Sequence, residues 1–460
     1  MLFPKYQCKS TGCETGFPAC HKGALRMPKY NLPGPKSAEY LKMSDQYEGG
    51  ATSRQQQFVW DHAEGVRIWD VDGNEYLDWT SGVLVTNVGH CHPHHVEAIQ
   101  KQVARLMNPY DFPTPERVTY AKRLVEITPP NLDACFMVTT GSEATEAAMR
   151  MAKRFTGKHE IISFYGGFHG RTGMAMSAAG KQGTKLRYGP TLTGHIQSPY
   201  PYCYRCPFDL ECGSCGNKCL SFLDLVVKTQ STGAIAAVIT EPYQGGAGFI
   251  FPPEGWLTAL QEWCVEHEAL FILDEVQASF GRTGKMFAAE HEDLRPNFLP
   301  LGKGIGSGIP TSALMTEKRI MSTFERGEAS STTGGNPVSC AAAHAVLDIF
   351  ESENLVENSA KMGAYMKGRL QELQAKSKYL GDVRGMGLVM GMEFVRDKKT
   401  KEPAPDIMWQ VIDACATEGL CCGSVGFYGN VIRVAPPLVI SQADAEESCD
   451  IMERVVLSLE

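Results

Sequence analysis

Residues 269–284 read ALFILDEVQASFGRTG, and the first half of that stretch decides the fold class. Ala269 to Leu273 is apolar at every position, with no polar alternation. A strand of this kind is covered on both faces, as in a parallel sheet between layers of helices. AIAAVITEP at 234–242 carries the same signal. Working outward, short apolar strands alternate with helical stretches from about residue 97 to 340. CFMVTT (135–140), EIISF (160–164) and NFLPLGKG (297–304) read as strands; SEATEAAMRMAKRF (142–155) and WLTALQEWCVEH (256–267) read as helices. The alternation predicts an α/β protein with a mainly parallel sheet in a large domain spanning 97–340.

The flanks read differently. GVRIWDVDGNEYLDW at 65–79 alternates apolar and polar residues around Asp72-Gly73, which predicts a hairpin. After Cys340 come a long helix, AAAHAVLDIFES, and two strand patterns, MGLVMGMEFV and NVIRVAPPLVI. They make 341–460 an α+β unit. LPGPKS at 32–37 is a break before the folded body. It separates an arm, 1–30, holding Cys8, Cys13, Cys20 and His21, from a first folded segment, 31–96.

Composition narrows the function. Of 460 residues 43% are apolar and 21% charged, as in globular proteins. The 44 basic against 52 acidic residues leave a formal net charge of −8, which argues against a nucleic-acid partner. No apolar run reaches bilayer length, and the first residues lack a signal-peptide core, so a soluble cytoplasmic protein is expected. Sixteen cysteines without a secretory signal read as reduced thiols, with metal binding where they cluster.

Four elements carry chemistry. In LGKGIGSG (301–308) Lys303 follows an apolar strand among glycines. It is either an exposed turn lysine or a buried amine whose lowered pKa suits Schiff-base formation. Asp274 ends the strand at 269–273, where open α/β sheets bind ligands. It makes either a structural ion pair or the partner of a protonated pyridine nitrogen. In VTTGSEATEAAMRMAKR (138–154) a Gly141-Ser142 turn opens a helix, as an ordinary cap or a phosphate site. Phe168, in the Gly-rich loop FYGGFHGRTG (164–173), is a core aromatic or stacks on a flat cofactor ring.

In the order Ser142, Phe168, Asp274, Lys303 these elements resemble the class III, or omega-type, aminotransferases, pyridoxal-phosphate enzymes of fold type I. The resemblance runs from about residue 31 to the end. It includes YLDWTSG, GHCHP, FHGRT, ITEPYQGGAG, TTGGNP, GDVRGMGL and VIRVAPPL. It implies a seven-stranded large-domain sheet and a smaller domain built from both chain ends. It implies that Lys303 forms the Schiff base and shuttles the proton, while Asp274 pairs with the pyridine nitrogen. Gln277 would bond the ring's phenolic oxygen, Phe168 stack on the ring, and Gly141 and Ser142 bind the phosphate. Thr332 would reach the phosphate of a neighbouring subunit, making a homodimer or a dimer of dimers. Arg433 would clamp the α-carboxylate, for which a guanidinium is well matched. The implied reaction is ping-pong transfer from an amine or amino acid to a keto acid, 2-oxoglutarate or pyruvate.

Two departures qualify the substrate. Relatives of the 4-aminobutyrate and ornithine type carry a glutamate, pairing with that arginine, where this chain has Gly246. 2,2-Dialkylglycine decarboxylase resembles LDWTSG, GDVRGMGL and RDKKTKEPA, but has glutamine at Val83 and tryptophan at Phe168. Decarboxylation-dependent transamination is therefore one alternative function. Another is a metal- or redox-sensing interaction protein on the same scaffold. It is suggested by PYPYCYRCPFDLECGSCGNKC at 199–219, where Cys203, Cys206, Cys212, Cys215 and Cys219 have the spacing of a thiolate knuckle. That loop holds either a structural zinc or iron–sulfur centre or spare reduced thiols.

Overall fold

The structure is a computed structural model that describes residues 28–50, 52 and 55–460. Cys8, Cys13, Cys20 and His21 of the expected arm lie outside the described residues. The strands, in chain order, are β1 (Trp60–Glu64), β2 (Arg67–Asp70), β3 (Glu75–Asp78), β4 (Ala134–Val138) and β5 (Glu160–Phe164). Then come β6 (His195–Ser198), β7 (Ile235–Thr240), β8 (Leu270–Leu273), β9 (Phe298–Leu301) and β10 (Ser312–Thr316). The last are β11 (Leu380–Met386), β12 (Val389–Phe394), β13 (Leu420–Cys421), β14 (Gly423–Val425) and β15 (Val431–Val434).

The expected hairpin is β2–β3, with Trp69 opposite Glu75. Its turn is held by Asp70, whose Oδ1 accepts from the N–H groups of Asp72 (3.0 Å) and Asn74 (2.8 Å). β3 then pairs in parallel with β13, so the sheet β1-β2-β3-β13 joins strands from the two ends of the chain.

The seven-stranded sheet has the order β4-β10-β9-β8-β7-β5-β6. β10 runs antiparallel to both neighbours, and the other strands are parallel. Every residue of β5, β7, β8, β9 and β10 is buried. The apolar runs of β7 and β8 are thus covered on both faces, as the sequence requires. The helix Gly141–Thr156 packs across β7 to β10, burying Ala144, Ala148, Met149 and Ala152. The third sheet, β11-β12-β15-β14, is antiparallel. Among the described residues no helix is long and apolar enough to cross a membrane.

The cysteine-rich stretch is fastened to the third sheet through Glu393 on β12, a fully buried carboxylate. Glu393 pairs with Arg205 at 2.6 Å and Arg384 at 2.8 Å and accepts from the Tyr202 hydroxyl. Burial alone would raise its pKa, but Arg384, Tyr202 and Arg205 hold it below the ordinary glutamate range. Glu393→Ala would leave Arg205 without its carboxylate and Arg384 with Asp382 alone, at a cost of about 3 kcal/mol. The midpoint of thermal unfolding should drop by several degrees, and an unchanged midpoint would show the network to be dispensable.

Candidate active site

The carboxyl ends of the parallel strands deliver the side chains to one cavity of about 350 Å³. Asp274 directly follows β8, Glu241 directly follows β7, Lys303 stands two residues beyond β9, and β5 leads into the loop holding Phe168 and His169. These residues line the cavity with Gly141, Ser142, Gln277, Val83, Gly246 and Arg433. Of the site residues expected from the sequence, only Thr332 and the cysteines stand elsewhere. Thr332 is exposed.

Asp274 is 4% exposed, and its Oδ2 lies 2.7 Å from Nδ1 of the equally buried His169. Its Oδ1 accepts from Val276 N at 3.1 Å. Glu241, also buried, accepts from the N–H groups of Phe168 and Gly245, both at 3.0 Å. Burial pulls His169 down, but the bond to and charge of Asp274, then Glu241, raise its pKa above the ordinary histidine range. Burial pushes Glu241 up to about 7; Asp274 adds to this, while His169 and the two N–H bonds oppose it. The Lys303 amine is depressed, chiefly by burial and further by the charge of Arg433, against the pull of Asp274 and Glu241. A lowered pKa favours the neutral amine, the form that acts as nucleophile and base.

The helix Gly141–Thr156 is capped by a residue other than Ser142. The cap is Thr140, whose hydroxyl accepts from Glu143 N while Glu143 Oε2 accepts from Thr140 N at 2.7 Å. Ser142 is thus not used as the cap. Its hydroxyl faces the cavity loop, accepting from Arg171 N at 3.3 Å. The helix N-terminus supplies the partial positive charge a phosphate needs. The backbone packs too closely here for side chains: a Cβ on Gly141 would meet Val276 Cγ1 at 2.6 Å, and one on Gly170 would meet Ser142 Oγ at 2.3 Å. Gln277 Oε1 is buried in the cavity wall without a hydrogen-bond partner. These features fit pyridoxal phosphate. Gly141 and Ser142 would hold its phosphate, Asp274 its ring nitrogen, Gln277 its polar edge, Phe168 its ring and Lys303 its aldehyde.

Val83 reaches the cavity by an unforeseen route. Ser81, Gly82, Val83 and Leu84 all have positive φ, at 47°, 56°, 71° and 60°. For a β-branched residue this is a strained, left-handed conformation. It is clamped by Arg282, whose Nη2 donates to Ser81 Oγ (3.4 Å) and Asn87 Oδ1 (2.5 Å) and whose Nη1 donates to the carbonyls of Leu388 and Pro436.

The expectation of a metal at the cysteines gains no support from the geometry. Cys203, Cys206, Cys212, Cys215 and Cys219 do border one small cavity, beside Trp256. Yet among the described residues no three His, Cys, Asp or Glu side chains meet so as to hold a metal ion. None of them forms a disulfide, and burial, then the neighbouring thiols with Cys212 first among them, push Cys203 up to about 12. Sequence reasoning also passed over His169 and Glu241. Their signal was present, as polar residues at strand ends inside FHGRT and ITEPYQGGAG.

The comparisons agree with this geometry. The profile of the family described as aminotransferase class-III matches residues 50–456. The acetylornithine aminotransferase of Methanothermobacter thermautotrophicus is 35% identical over 89% of this chain and 96% of its own. The leucine/methionine racemase of Thermococcus litoralis is 34% identical over 86% of this chain and 90% of its own. Among solved structures, a Bacillus anthracis aminotransferase superposes with a TM-score of 0.84 at 32% identity, covering 93% of this chain and all of that one. The chain belongs to the class III aminotransferase family, with the family's mixed α/β fold of type I. It is therefore read as an enzyme, and the interaction-protein alternative is set aside.

His169→Phe should lower kcat about 100-fold with the fold kept, because Asp274 loses the contact that orients it. An unchanged kcat would remove His169 from the site. Dialysis against a chelator should leave the thermal midpoint where it was. A drop that zinc restores would reinstate the metal at the cysteines.

Proposed function

We propose that the protein is a pyridoxal-phosphate-dependent aminotransferase that moves the amino group of an amine or amino acid to a keto acid such as 2-oxoglutarate or pyruvate, by a ping-pong route. One observation carries this reading: a depressed, enclosed lysine amine shares a cavity with the buried Asp274–His169 pair and with Arg433. When bound, the cofactor supplies an electron sink for the charge left as the substrate's α-proton departs. The chain does the rest. Arg433 holds the α-carboxylate, Lys303 Nζ takes the α-proton and delivers it to a different carbon, and Asp274, fixed by His169, keeps a ring nitrogen protonated. Val83, Phe249 and Val425 give the cavity an apolar wall beside the reacting groups.

Thr332, exposed and away from this cavity, is assigned to the phosphate site of a second copy, so the working unit is a homodimer or a dimer of dimers. The free thiols support a reducing, cytoplasmic setting. The sheet that joins β3 to β13 supports a small domain made of 31–96 and 341–460 around a large domain of 97–340.

A second reading comes from the racemase among the relatives: a proton returned to the same carbon gives epimerisation. The decarboxylating alternative is weakened by Val83, an apolar side chain at the wall position. The test is a screen of amino donors and keto acids with nitrogen-labelled donor. Label in the new amino acid supports transamination; inversion without transfer of label supports epimerisation. Lys303→Ala should abolish transfer with the fold intact, because one amine serves as nucleophile and base. Near-normal turnover would free Lys303 of both roles.

A further inference from the structure

Arg433 is 5% exposed, at the wall of the cavity. Among the described residues no carboxylate forms an ion pair with it. Burial lowers its pKa, and the charge of Asp78 opposes this without an ion pair. Asp78 is already committed: its Oδ1 accepts from Thr80 N (2.6 Å) and the Thr80 hydroxyl (2.7 Å), and its Oδ2 meets His90 Nε2 at 2.8 Å. Gly246, which also lines the cavity, brings no charge. The hydrogen bond recorded for the guanidinium is neutral: Nη2 donates to the amide oxygen of Gln55 at 3.3 Å. Arg433 Nε is buried without a partner.

Gln55 is built in. Its oxygen also accepts from Ser424 N at 3.1 Å, and its neighbour Gln56 donates to the Cys422 carbonyl at 2.7 Å. Gly423 makes room for the contact, since a Cβ there would lie 2.2 Å from Arg433 Nη2 and 2.5 Å from Gln55 Oε1. The chain thus places an uncharged acceptor on a buried cation and keeps that cation's charge unspent.

We propose that Gln55 is a positioning and specificity-determining residue, a neutral holder of Arg433 that restricts both the donor and the acceptor to molecules bearing an α-carboxylate. The proposal rests on the aminotransferase reading above. A substrate with that carboxylate completes a charge-assisted pair with a cation already in place. One without it must leave a buried guanidinium unpaired, a penalty that acts against the wrong substrate. A glutamate at position 55 would neutralise Arg433 and remove both effects.

The experiment compares norvaline with butylamine, which lacks only the carboxylate, as donors for the parent enzyme, Gln55→Glu and Gln55→Ala. The parent should prefer norvaline by about 1000-fold or more in kcat/KM. Gln55→Glu should raise KM for norvaline about tenfold or more, with kcat changed less, and narrow the preference. Gln55→Ala should weaken norvaline less, about threefold. A merely structural Gln55 gives the opposite order, because glutamate keeps the bond to Ser424 N and alanine does not. That order, or equal use of both donors by the parent, overturns the proposal. Calorimetric binding of propionate to the three proteins is read alongside and needs no turnover: Gln55→Glu should bind it more weakly than Gln55→Ala, and the reverse overturns the proposal. If the parent transfers nitrogen from neither donor, the aminotransferase reading falls, while the propionate series still decides the role of Gln55.

Discussion

The contact on which the rest of the site depends is the buried pair of Asp274 and His169. A carboxylate 4% exposed is costly to keep ionised unless a cation stands against it. Burial pulls the pKa of His169 down, but Asp274 and then Glu241 draw it above the ordinary range, which favours a cation on that side. The other side of Asp274 is left to the cavity, where a second cation can be bound. This arrangement needs β8 to end at residue 273, β7 to bring Glu241 alongside, and the loop after β5 to turn back. The parallel order of β5, β7 and β8 supplies all three. The sheet is therefore the device that brings two acids and a histidine, distant in sequence, to one strand end.

Around that pair the backbone stores strain where the chemistry lies. Lys303 has φ of 46° and Val83 has φ of 71°. Such conformations persist only when the surroundings over-determine them. For Val83 the surroundings are identifiable: Arg282, fully buried, bonds four separate groups, and Ser81 Oγ donates to the Ala435 carbonyl at 2.7 Å. The wall of the cavity is thus held by residues from three distant parts of the chain.

Some of this could be read in the sequence, and the reasons are physical. β7 and β8 were legible because a strand covered on both faces has no polar alternation to confuse it. Asp274 and Lys303 were legible because a charge directly after such a strand must be either paired or functional. β10 was not, since Ser312 and Thr316 at its ends look exposed. They are buried because their hydroxyls bond the carbonyls of Leu301 and Asn297. The left-handed turn at 81–84 was not legible, because its clamp lies some two hundred residues away. Cysteine spacing indicated a cluster but not a coordination geometry, which depends on where the loop turns each sulfur. Gln55 carries no motif at all; its meaning comes only from the guanidinium it faces.

On the proposed ping-pong route the enzyme removes an amino group and retains it until an acceptor arrives. The most direct measurement mixes the cofactor-loaded enzyme with a single α-amino acid, without acceptor, and counts the 2-oxo acid released. A burst of about one equivalent per protomer that then stops is expected, as a ping-pong enzyme requires. Release of none, with the amino acid recovered only in inverted configuration, would contradict it.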